Sequence, residues 1–165
     1  MNPFACTKQQ IQSIYKLIDR KTSQHTSQWT SVAQCVTLEE VQKPIQVFMT
    51  RTQSTTEKLD IAIEYIRQIK SGSKIEFTQG TWYRMTMVAL MLACKMTDDI
   101  VLAFEDFAQC IKGMSCQLLQ LLEKEFLESL QFNCFVELSA ISVETHEDYD
   151  EYDQMDKELR DILNL

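Results

Sequence analysis

An all-α fold is predicted by three features of the sequence: few turn residues, repeated helix-start signatures, and apolar residues at helical spacing. The 165 residues include three glycines and two prolines, about a quarter of average usage. A β-sandwich or barrel needs many Gly- or Pro-bearing turns, so this scarcity favours helices. Hydrophobic residues make up 45% of the chain, enough to fill the core of one domain of this length.

Taken in order, Thr7 with Gln10 forms the pattern in which a Ser or Thr and a Glu or Gln three residues later cap each other's backbone N–H groups. It precedes a stripe at Ile11, Ile14, Tyr15 and Ile18. Thr37 with Glu40 opens a second helix reaching about Arg51, inside which Pro44 predicts either a kink or a fresh helix start. Ser54 with Glu57 precedes Leu59, Ala62, Ile63 and Ile66, and Gly72 supplies a stop. Thr78 with Thr81 is a weaker start for a helix over about 78–95. There the run from Met85 to Cys94 leaves almost no polar face, so this helix must sit in the middle of the domain. Asp98 and Asp99 are expected to cap a helix carrying Leu102, Phe104, Phe107, Ala108 and Ile111, which Gly113 stops. Ser115 starts the last strong helix, with Leu118, Leu119, Leu121, Leu122, Phe126, Leu127 and Leu130. The architecture expected is one preliminary helix followed by five more, the third of the five being central.

Charge and cysteine usage narrow the function. The formal net charge is −8, and the whole excess lies between Glu137 and Leu165, where ten acidic residues face two basic ones. The rest is balanced, so no basic field exists to attract nucleic acid or anionic lipid. Six cysteines (Cys6, Cys35, Cys94, Cys110, Cys116 and Cys134) show no zinc-like spacing. Cys94, Cys110 and Cys116 read as small buried hydrophobes, which places the chain in a reducing intracellular compartment, nucleus or cytoplasm. No signal peptide is seen, and the apolar run Met85–Cys94 is about half the roughly 20 residues a bilayer span needs. Phosphate-binding glycine loops and nucleophile–base patterns are absent, His25 and His146 are far apart, and the acidic run Glu144–Asp153 lacks the Gly and alternation of a calcium loop. No cofactor, metal, membrane or small-molecule substrate is therefore expected. Residues 21–36, rich in Ser, Thr and Gln, read as a mobile linker. The stripe Met155, Leu159, Ile162 and Leu163 is a short amphipathic helix that either docks in a partner's groove or folds back on the domain.

Three segments then carry a resemblance. The run from Leu59 to Ile69 is similar to the second-helix pattern of the cyclin box, in which a Tyr-Ile-x-Arg-like stretch follows small apolar residues. Leu90-Met-Leu-Ala-Cys-Lys-Met-Thr-Asp-Asp99 looks like the third-helix motif that ends in Ala-x-Lys and an acidic pair. The run from Leu122 to Phe132 looks like the fifth-helix motif of Glu, Phe-Leu and a closing aromatic. On this resemblance residues 38–136 form a single cyclin box, 1–37 an N-terminal helix and linker, and 137–165 an acidic tail. The N-terminal helix ending Leu17-Ile-Asp-Arg20, and the roughly 30 residues after the box, too few for a second box, resemble the single-box P-type cyclins, as in fungal phosphate-response pathways. The Met-Arg-Ala-Ile-Leu docking motif of cell-cycle cyclins is absent, so docking of Arg-x-Leu substrates is not expected. Residue 68 is Gln where an acidic residue is common.

The resemblance implies a regulatory subunit that binds and activates a cyclin-dependent-type protein kinase, not an enzyme, through the groove between the third and fifth box helices. It also implies the contact residues: Lys95 and Glu123 as polar anchors, with Leu92, Met96 and Leu127 as flanking apolar contacts. Without the resemblance, Lys95 is a cation favoured at a helix C-terminus and Glu123 part of a solvated face. Trp82 and Tyr83 read as packing residues. A cyclin-fold adaptor that activates nothing is the alternative.

Overall fold

The apolar stripes fold into six α-helices in the computed structural model, which describes residues 2–20, 27–31 and 37–139. They are α1 (Lys8–Leu17), α2 (Leu38–Thr52), α3 (Thr56–Gly72), α4 (Trp82–Thr97), α5 (Phe104–Gln109) and α6 (Cys116–Ser129). Among the described residues no strand forms; one isolated bridge joins Asp19 to Thr78. Contacts divide the chain into Met1–Phe135 and Val136–Leu165. In the second unit, Ser139 Oγ donates to Glu137 Oε1 at 3.2 Å. The expected acidic run, the Met155–Leu163 stripe, His25 and His146 lie outside the described residues.

The first unit is organised around α4. Every residue from Met85 to Cys94 is buried, because this helix packs against α2, α3 and α6. The central position expected for it follows from its lack of a polar face. Its neighbours turn one apolar stripe each towards it: Val41, Ile45, Phe48 and Met49 on α2, Leu59, Ala62, Ile63, Ile66 and Ile69 on α3, and Leu119, Leu122 and Phe126 on α6. Each of the larger of these side chains contributes about 1.5–3 kcal/mol on burial. α1 lays Ile11 and Ile14 onto α2 and α3. The stacked rings of Phe48 and Phe107, 6.2 Å apart, fasten the short α5 to α2.

The capping boxes at Thr7 and Thr37 form as expected, and Ser115 caps α6 by accepting from the Leu118 N–H at 3.2 Å. Of the two outcomes expected at Pro44, the fresh start does not occur, and α2 runs on through it; two further expectations, at Ser54 and at Asp98 with Asp99, need correction. The proline removes a single intrahelical bond, and the buried residues on either side of it keep the helix continuous. Ser54 does not cap α3. It is wholly buried, its hydroxyl 2.6 Å from Thr52 Oγ1 and 3.1 Å from Cys94 Sγ, so the helix starts later with Thr55 as its N-cap. Asp98 and Asp99 do not cap α5 either, whose N-cap is Ala103 without a side-chain bond. Asp98 closes α4 instead and pairs with Lys58. Gly113, at φ 74°, takes the left-handed conformation that glycine adopts without strain, in the turn before α6.

The cysteines divide. Cys94 is buried as expected, and burial pushes its thiol up. Cys110 and Cys116 are only half-buried. Of the stretch expected as a mobile linker, residues 27–31 are fixed through Trp29, which is buried. Its Nε1 donates to Glu125 Oε2 at 2.8 Å, and its ring lies 6.0 Å from that of Phe126.

Two outcomes follow from this packing. Trp29→Ala removes both the ring contact and the indole bond, and should lower unfolding free energy in urea by about 3 kcal/mol; a loss under about 1 kcal/mol would mean the segment does not pack as described. Tyr65 is buried, donates to the Cys134 carbonyl at 2.9 Å, and has its hydroxyl pushed from 10.0 to about 12 by that burial. Because the folded pKa is the higher one, Tyr65 gives no pH-dependent loss below pH 10.0. Stability falls as the pH rises from there towards about 12. Tyr65→Phe should flatten that alkaline decline in a pH series of denaturation curves.

Candidate functional site

The apolar run that fixes α4 ends at Cys94, and Lys95 is the first residue after it that reaches water. Thr97 Oγ1 donates back to the Ala93 carbonyl at 2.7 Å, and the Asp98 N–H to the Cys94 carbonyl at 2.9 Å, so the last turn is tightly closed. Lys95 Nζ donates to Glu123 Oε1 of α6 at 2.5 Å. The two side chains keep 24% and 13% of their accessible surface. The structure thus brings Lys95 and Glu123 together across 28 residues of sequence.

Lys95 has a second partner. Its ammonium lies 4.3 Å from the centre of the Phe104 ring, a cation–π contact that adds about 1 kcal/mol. Lys95 ends the core of α4 and Phe104 begins α5, so this contact brackets the last helical residues, Met96 and Thr97, and the loop 98–103. The pairing of Asp98 with Lys58 on α3 anchors the same loop at its start. The end of α4 and this loop carry large apolar side chains outward: Met96 is 53% exposed, Ile100 89%, Val101 45% and Leu102 40%. A loop normally turns polar groups to water, so a clamped loop presenting three apolar ones beside Met96 is surface suited to another protein.

The other expected contact residues differ in access. Leu127 is half-buried one turn after Glu123, and Met96 is exposed beside Lys95. Leu92 is wholly buried and belongs to the core beneath the pair; it offers no contact surface, because α4 is enclosed at that depth. Phe104, Ile100, Val101, Lys58 and Asp98 were not expected in the site. An apolar Ile-Val-Leu run directly after an acidic pair was the signal for the loop; the roles of Lys58 and Phe104 have no local signal. Trp82 and Tyr83 are buried packing residues, as expected. Among the described residues no group of three or more His, Cys, Asp or Glu side chains could hold a metal ion, and no helix is long and apolar enough to cross a membrane.

A family model described as Cyclin matches residues 52–134, from the end of α2 to beyond α6. The chain belongs to the cyclin family. Members of that family are regulatory rather than catalytic, and its fold agrees with the all-helical architecture seen here. The match contains every residue of the α4–α6 pair and the clamped loop. In this cyclin the closing aromatic of the last helix motif, Phe132, is 67% exposed at φ 56°, whereas Phe126 and Leu130 are buried.

A double-mutant cycle with Lys95→Met and Glu123→Gln should give a coupling of about 1 kcal/mol that weakens in salt. A coupling above about 3 kcal/mol would mark the pair as a structural strut and remove the reason to assign it to a partner.

Proposed function

We propose that this cyclin is a regulatory subunit that binds and activates a cyclin-dependent-type Ser/Thr protein kinase through the α4–α6 face, and that it is of the single-box P-type variety. The observation that carries the reading is the Lys95–Glu123 pair at the rim of an exposed apolar loop. In the free chain each ion satisfies the other while keeping some access to water. Lysine has three donors and a carboxylate two acceptor oxygens, so both can turn to the ends of an incoming helix or its flanking main chain. Charge-assisted bonds of that kind set the register of a docked element more than they raise affinity. Apolar contact from Met96, Ile100, Val101, Leu102 and Leu127 supplies the burial. An element so held is a kinase's C-helix, whose inward position lets its Glu pair with the catalytic Lys. The packing of α1 on α2 and α3 supports the P-type assignment.

The test is to purify the tagged chain from its own cells and assay for a co-purifying protein kinase. The reciprocal variant Lys95→Glu with Glu123→Lys keeps an ion pair within the chain but presents the opposite polarity to a partner. It should remain folded and lose kinase binding at least about 10-fold. Undiminished binding by the folded variant would reject the site; a complex without any kinase would favour the non-activating adaptor.

A further inference from the structure

Two charges in the fold stand at helix ends that disfavour them. The aligned peptide dipoles make the start of a helix partly positive and its end partly negative, so anions suit the start and cations the end. Lys95, in the last turn of α4, obeys this rule. Lys58 does not, because it lies in the first turn of α3. Nor does Asp98, the C-cap of α4. Local helix preference therefore explains neither residue. Their ion pair does, since it draws Asp98 towards the start of α3 and Lys58 towards the end of α4, where each sign is favoured.

The surroundings of this pair set it apart from an ordinary surface contact. The Lys58 side chain keeps 12% of its accessible surface and that of Asp98 33%, whereas Lys43 and Glu39 of α2 pair with both side chains largely exposed. A pair this enclosed is little screened, and removing one partner leaves the other as an unmatched charge with poor access to water. Cys94 lies beside it: the Asp98 N–H donates to the Cys94 carbonyl at 2.9 Å, and the buried Ser54 hydroxyl is 3.1 Å from Cys94 Sγ. Both charges of the pair are felt at that thiol, which burial keeps protonated and inert. A reagent can reach Cys94 only when the junction of α3 with the end of α4 opens.

We infer that Lys58 is a positioning residue for the docking loop: acting through Asp98, it fixes where residues 98–103 leave α4. The geometry stands on its own, and its consequence for a partner rests on the kinase reading above. Lys58 needs no contact with the kinase. It holds the apolar loop ready in one arrangement, which reduces the ordering cost of association.

The full chain tests this by iodoacetamide labelling of each thiol, located by mass spectrometry, and by amide hydrogen exchange. Lys58→Met keeps most of the stem and removes the charge. With helicity retained, it should label Cys94 at least about 10-fold faster and speed exchange of the Met96, Thr97 and Asp98 amides similarly. Cys6, buried against Gln46 of α2, serves as the control and should label at its original rate. Asp98→Asn opens the same pair from the other side and should give the same pattern. Lys58→Glu with Asp98→Lys rebuilds the pair with each charge at the helix end that suits it, and should restore both rates to within about 2-fold. Lys43→Met, at the exposed pair, should change nothing. Kinase recovered with the Lys58→Met chain should fall at least about 5-fold and return with the charge-swapped chain. Unchanged labelling and exchange in a folded Lys58→Met chain, equal acceleration at Cys6, or failure of the charge swap to restore closure would each overturn the inference. A loosened junction with undiminished kinase recovery would overturn its role in docking. If the unchanged chain recovers no kinase, the kinase reading fails, and labelling and exchange still decide whether Lys58 positions the loop.

Discussion

A helix with no polar face cannot stand at a surface, and α4 has none between Met85 and Cys94. Water must be excluded around its whole circumference, so α2, α3 and α6 are required to cover it. That requirement settles more than the core. It determines where α4 can first show a charge, and Lys95 is that position. Because α6 is one of the covering helices, its half-exposed edge brings Glu123 to the same place.

The site inherits its rigidity from the same packing. Residues 98–103 leave α4 and return at α5, and the two helices are tied where Lys95 lies over Phe104. Asp98 is drawn to Lys58 on α3, the helix that packs most extensively against α4. The loop is therefore tied at both ends by contacts to helices that pack in the core. Pre-organisation of this kind lowers the entropic cost of association, because the ordered surface exists before a partner arrives.

Much of this was legible in the sequence, and what was not has a physical cause. The boxes at Thr7 and Thr37 and the cap at Ser115 involve residues three apart whose side chains have no other demand on them. Ser54 and Asp98 carry the same local signal, but each is taken by a tertiary partner, Cys94 or Lys58, 40 residues away. Short-range capping rules cannot weigh such competitors. Trp29 lay in a stretch whose composition reads as linker, and its partner Glu125 is 96 residues on. Leu92 is three residues before Lys95, which one-turn spacing places on a common face; the depth at which α4 is enclosed puts it in the core. Lys95 and Glu123 were found through a resemblance in motif, and spacing alone gave no reason to join them.

The most direct measurement of the central claim is hydrogen–deuterium exchange on the full chain, free and in complex with a protein kinase recovered by the purification proposed above. Protection of the amides of residues 95–104 and of the α6 turn around Glu123, with α1 unchanged, is the predicted result. Protection confined to other surfaces, with the loop after Lys95 exchanging as in the free chain, would contradict it.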